Sequence, residues 1–81
     1  MITLRTVLNI ATAYSNQNNR SLSRQMAWTR TQNILTNPVF NWDLDTPATY
    51  KSLLSIPGMS KGTVKHIDTV LLRNGLELER G

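Results

Sequence analysis

The sequence predicts an all-α fold: a compact domain of four helices over residues 1–81, with 76–81 as a tail. Three observations predict it. Apolar residues recur at helical spacing in separate stretches. Those stretches are bounded by residues that start or stop helices. No stretch carries a strand pattern strong enough to compete.

Residues 3–16 form the first helix, with Leu4, Val7, Leu8, Ala11 and Tyr14 on one face. Ile10 lies off that stripe and widens it. Residues 15–19 read Ser-Asn-Gln-Asn-Asn, a polar loop. The second helix starts at Ser21 or Ser23, since either hydroxyl can accept from a free first-turn N–H. Its apolar face is Ala27, Trp28, Thr31, Ile34 and Leu35, and Arg20 and Arg24 share another face. Asn37-Pro38 stops it, because the residue before proline avoids the helical region.

Residues 39–46 are a connector. Phe40 and Trp42 alternate with polar residues, which allows a short extended segment, and the pair is expected to cap the core. Thr46-Pro47 predicts the third helix start: Thr46 caps, and Pro47 takes the first position, where its missing N–H costs nothing. That helix runs to Leu54, and Ser55–Met59 is a tight turn. Ser60 caps the fourth helix, from Lys61 to Arg73, with Val64, Ile67, Val70 and Leu71 facing inward. Asn74-Gly75 ends it. The last six residues are expected as an exposed tail, or as the start of something that needs a neighbour.

A chain of 81 residues buries only around 60% of the surface its unfolded form exposes. A core this small leaves room for partners or oligomers to add stability. There is no cysteine, which excludes disulfides and thiolate metal sites. One histidine without a carboxylate cluster argues against a structural metal. No apolar run approaches the roughly 20 residues of a membrane span, and the N-terminus lacks a signal-peptide plan. Nine Lys and Arg face five Asp and Glu, for a net charge of +4. Residues 1–38 hold Arg5, Arg20, Arg24 and Arg30 and no acid at all. An acid-free basic half fits a polyanion, with nucleic acid first.

The segment Leu53-Leu54-Ser55-Ile56-Pro57-Gly58-Met59-Ser60-Lys61-Gly62-Thr63-Val64-Lys65-His66-Ile67 carries the chemistry. An apolar pair ends one helix, a Pro-Gly turn follows, and another helix begins at once. Gly58 permits positive φ and close approach of another backbone. The start of the fourth helix presents unpaired N–H groups at a positive dipole end, a ready anion site. Lys61 and Lys65, one turn apart, add charge on one side.

This pattern resembles the helix-hairpin-helix motif of DNA repair and replication proteins, whose turn runs apolar-Pro-Gly-apolar-Gly and whose amides hold phosphate without reading bases. Ser60 stands where that motif has its second glycine. The whole chain, about Ile2 to Glu79, resembles the N-terminal 8-kDa domain of family X, polymerase beta-like, DNA polymerases. Arg24-Gln25-Met26-Ala27-Trp28-Thr29-Arg30-Thr31 is similar to its second helix, with a basic residue followed four later by an aromatic. Residues 56–68 align to its hairpin without gaps. The resemblance implies binding of a 5′-phosphate at a DNA gap. It implies phosphate contacts at Gly58, Met59, Ser60, Lys61, Gly62, Lys65 and Arg24, and base stacking by Trp28, whose other reading from the residues is core packing.

In lyase-active members of that family, a lysine in the second hairpin helix attacks an abasic sugar and forms a Schiff base. Here the alignment places His66 at that position, and histidine cannot form the imine. Lys65 is adjacent but about 100° around the helix, and Lys61 lies nearer the turn. Loss of lyase activity is expected, with Lys65 or Lys61 the substitutes if any survives. His66 either donates to phosphate or stands on the surface. Asp43 and Asp45 read as loop and cap residues, because a polymerase site needs a third carboxylate and a further domain.

No cofactor is expected, with room only for a monovalent cation at the hairpin backbone. The expected partner is gapped or 5′-phosphorylated DNA, with further domains or a protein partner beside it and no membrane. The expected location is intracellular and DNA-associated: nuclear, or in a host cell or virion if the source is viral. The competing expectation is a protein-interaction module, or a small component of a larger viral assembly. Phe40, Trp42, Leu76 and Leu78 would be its interface.

Overall fold

The computed structural model describes residues 1–16 and 22–81. Its order is α1 (Leu4–Ser15), α2 (Leu22–Thr36), α3 (Tyr50–Leu54) and α4 (Lys61–Arg73). Beyond two isolated backbone bridges, the described residues form no strand, and the fold is all-α. None of the described helices is long and apolar enough to cross a membrane. Residues 17–19 of the expected polar loop, Arg20 and the alternative cap Ser21 lie outside the described residues. Ser23 lies inside α2 rather than at its cap.

Helix α1 opens on a capping box. The Thr3 hydroxyl accepts from Thr6 N–H, and the Thr6 hydroxyl accepts from Thr3 N–H. Its next free donors are met from a distance. Leu4 N–H donates to the Thr46 carbonyl at 3.1 Å, and Arg5 N–H to the Leu44 carbonyl at 2.8 Å. Ala48 N–H returns a bond to the Ile2 carbonyl at 2.9 Å. The segment around Thr46-Pro47 is thus paired with the chain start.

That pairing corrects the expected third helix. Thr46 and Pro47 do not start it, and α3 begins three residues later, at Tyr50. Thr46 carbonyl is already an acceptor for α1, which holds this stretch extended. The cap is Thr49, in a reciprocal box with Ser52: Ser52 N–H to Thr49 Oγ1 is 3.0 Å, and Thr49 N–H to Ser52 Oγ is 2.8 Å.

Helix α4 ends as the sequence reads. Gly75 takes φ +75, its N–H donates to the Leu72 carbonyl at 3.0 Å, and Leu76 N–H donates to the Leu71 carbonyl at 2.9 Å. These two bonds make the left-handed glycine cap that closes a helix C-terminus.

The tail is the second correction. It is not unpartnered: Leu78 is buried and Leu76 packs against the core, while Glu77, Glu79, Arg80 and Gly81 stay exposed. Tyr50 N–H donates to the Glu79 carbonyl at 2.7 Å, and Lys51 N–H to the Arg80 carbonyl at 3.1 Å. The Arg80 guanidinium lies 4.9 Å from the Tyr50 ring centre and 3.4 Å from an Asp68 carboxylate oxygen. The tail so closes the start of α3, much as the connector closes the start of α1.

One core joins the helices. Val7 and Ala11 of α1, Trp28 and Leu35 of α2, Leu53 of α3, and Val64, Ile67, Val70 and Leu71 of α4 are buried in it. Each large apolar side chain buried this way contributes about 1.5–3 kcal/mol. Thr31 is also buried, and its hydroxyl returns to the Ala27 carbonyl at 2.9 Å.

Candidate nucleic-acid interface

The turn between α3 and α4 is set by two residues. Met59 N–H donates to the Ile56 carbonyl at 3.1 Å, closing a four-residue turn with Pro57 and Gly58 in its middle. Gly58 has φ +88. Proline then positive-φ glycine is the type II arrangement, and only glycine takes the third place without strain. A Cβ there would also come within 3.2 Å of Ile34 Cδ1, so the turn backbone lies against α2. Ile56 and Met59 are buried and anchor the turn from below.

Ser60 then caps α4 with extended backbone, φ −91 and ψ 160, and its hydroxyl accepts from Thr63 N–H at 3.2 Å. Val64 N–H begins the helical ladder by donating to the Ser60 carbonyl. The N–H groups of Ser60, Lys61 and Gly62 are left with no acceptor among the described residues. These three sit at the positive end of a 13-residue helix.

A hollow of about 330 Å³ opens beside them. Helix α2 lines one wall with Ser23, Arg24 and Ala27. The start of α4 lines the other with Ser60, Gly62, Thr63 and His66. Among the described residues the lining holds Arg24 and no carboxylate. Chemically it offers amide donors, the hydroxyls of Ser23, Ser60 and Thr63, and a fixed positive charge, which together suit a phosphate oxygen.

The expected phosphate contacts divide on this geometry. Arg24, Ser60 and Gly62 line the hollow. Lys61 and Lys65 are exposed and stand outside its lining. Gly58 is exposed but belongs to the turn against Ile34. Met59 is a correction: its side chain is buried and its N–H is spent on the turn, so it offers nothing to an anion.

Trp28 is a further correction. It is fully buried, its ring stacked on Tyr14 at 5.4 Å and tilted against His66 at 5.2 Å. An indole with no open face cannot stack on a base. Its Nε1 has no acceptor among the described residues, and such a buried donor costs about 1–3 kcal/mol. His66 is not simply a surface residue either. It is half-buried between Trp28 and the hollow.

Ser23, Ala27 and Thr63 were not expected here. Ala27 has a legible signal, since it sits three residues beyond Arg24, one turn along α2. The Ser60-x-x-Thr63 spacing is a second one. A larger hollow, about 550 Å³, runs along α2 between Gln25, Met26, Thr29, Arg30, Asn33 and Ile34. Among the described residues one helix lines it alone, as a groove between side chains rather than a site between elements. The described residues hold no group of three or more His, Asp or Glu able to hold a metal ion. No protein-family model, curated protein or solved structure matches the chain.

Proposed function

We propose that this chain binds DNA without reading its sequence, by holding a backbone phosphate at the start of α4. In this proposal α3, the turn and α4 act as a helix-hairpin-helix, and the target is gapped or 5′-phosphorylated DNA met during repair or replication. One observation carries it: Ser60 and Gly62, whose N–H groups have no acceptor among the described residues, line one hollow with Arg24, and no described residue of that lining is acidic. The acid-free run of residues 1–38 supports it from the sequence side. Arg24 adds charge, and the amides fix position, a division suited to phosphate rather than to base edges. The resulting location is intracellular and DNA-associated. A monovalent cation on the turn carbonyls fits the same proposal. The Ile56 carbonyl accepts one bond there, from Met59 N–H, and a carbonyl has a second lone pair.

The proposal is non-catalytic. An imine-forming lysine needs burial or close cations to be partly neutral. Lys61 and Lys65 are exposed and outside the hollow, and His66 stands where the family's lysine belongs. Borohydride treatment with an abasic-site duplex is expected to trap no adduct.

The test is a titration of labelled gapped duplex at several salt concentrations. Affinity is expected to fall with salt at a log–log slope near −1 for each phosphate held. A 5′-phosphate at the gap is expected to tighten binding, and Arg24→Ala to abolish that gain. Equal affinity with and without the 5′-phosphate removes end recognition. No binding at low salt removes the proposal.

A further inference from the structure

A second hollow, also about 330 Å³, lies away from the α2–α4 groove, under the connector. Leu4, Trp42, Pro47 and Ile56 give it an apolar lining, and Asp43 stands in its wall. Among the described residues its lining contains no Lys or Arg. Residues 37–50 contain none either, and hold Asp43 and Asp45. Asp45 is paired with Arg5 at 3.2 Å, which leaves the exposed Asp43 carboxylate as the local charge.

The connector that carries Trp42 raises two apolar side chains into solvent. Val39 is 85% exposed and Phe40 is 40% exposed. They are not loose. The Phe40 ring stacks on Trp42 at 5.6 Å, and Trp42 Nε1 donates to the Ile34 carbonyl at 3.1 Å. In an extended run, residues two apart share a side only when nothing turns between them. Here Asn41 intervenes at φ 50, the only positive-φ residue other than glycine among the described residues. Asparagine tolerates that region, but it is still a departure held in place by its surroundings. What it holds is an aromatic pair beside an apolar cavity.

We infer that Val39, Phe40 and the Trp42 hollow form a protein-docking site. It takes a partner segment that presents an apolar side chain next to a lysine or arginine. Charge decides the class of occupant. A polyanion meets only Asp43 here, whereas a basic-flanked apolar anchor gains both burial and an opposite charge. Exposed aromatics backed by packed neighbours are also the residues that anchor protein interfaces. The inference is independent of the DNA proposal, since it uses a different hollow of opposite charge.

The probe is a library of short random peptides displayed on phage. It is panned on the full chain with excess oligonucleotide present, and counter-selected on Val39→Asn. Selected peptides are expected to share an apolar residue flanked by Lys or Arg. By calorimetry, a synthesised one is expected to bind about tenfold more weakly to Phe40→Ala and a few-fold more weakly to Asp43→Asn. Val39 is nearly fully exposed, so Val39→Asn keeps the readout if Phe40→Ala proves unstable. No enrichment over the counter-selection overturns the inference. So do peptides that bind the variants equally, or peptides that the oligonucleotide displaces. Self-association of the chain that Val39→Asn abolishes also overturns it, by assigning the face to a second copy.

Discussion

Helix α3 opens on Thr49 and helix α4 on Ser60, and each hydroxyl accepts from the N–H three residues on. Beyond that bond the two starts part company. The first N–H groups of α3 reach the Glu79 and Arg80 carbonyls of the docked tail. The matching groups of α4, Lys61 and Gly62, have no acceptor among the described residues. Length explains how both arrangements persist. Helix α3 has five residues, too few to stand on its own ladder, so every end donor counts. Helix α4 has 13 residues and buries Thr63, Val64, Ile67, Val70 and Leu71. Its packing holds it without a closed start. An open start is affordable only on the helix that the core already fixes, and that is where the candidate anion site lies.

The largest expected effect breaks the closed side. Leu78→Ala removes the apolar anchor that holds Glu79 and Arg80 over α3. It is expected to cost about 2–5 kcal/mol in urea unfolding, as for a buried leucine. The folded fraction should keep its DNA affinity, because the tail is not in the Arg24 hollow. A loss below about 0.5 kcal/mol would mean that the tail does not hold α3.

Gly58→Ala comes next, and acts on the turn that joins the two helices. Its Cβ meets only the far end of the flexible Ile34 side chain, which can yield. The φ of +88 cannot, so the backbone carries most of the penalty, about 1–3 kcal/mol. Ser52→Ala is smaller. It strips the acceptor for Thr49 N–H from the α3 box and is expected to cost about 1 kcal/mol. Both are read by chemical denaturation. If Ser52→Ala is silent, the Thr49 hydroxyl and the remote carbonyls suffice to start α3.

These residues also show what the sequence could disclose. Ser60 and Gly75 act within a few residues of themselves, so their roles as cap and terminator were readable locally. Thr46-Pro47 and Thr49-Tyr50 both offer start chemistry, and a distant partner chose between them: the α1 donors took the Thr46 carbonyl. The tail alternates Leu76, Glu77, Leu78, Glu79, a period-two signal for a half-buried extended segment. Trp28 shared its face with Thr31 and Leu35, so burial was predictable. Periodicity along α2 could not tell a core from a groove. Tyr14 and His66, brought from α1 and α4, closed over it.

The smallest expected change in stability gives the sharpest test of the open side. Lys61 is the first residue of α4, where proline fits because no ladder bond is lost. Ser60 before it is extended, at φ −91 and ψ 160, the region a residue preceding proline prefers. Lys61→Pro should therefore stay within about 0.5 kcal/mol of Lys61→Ala in unfolding free energy. Both variants lose the same ammonium, and only the proline loses the N–H. A hydrogen bond from that N–H to a charged phosphate is worth about 1.5 kcal/mol or more, so the proline variant should bind DNA roughly tenfold more weakly than the alanine variant. If the two bind alike, the Lys61 amide is not a phosphate ligand. Holding would then fall to Ser60, Gly62 and Arg24, the residues that line the hollow.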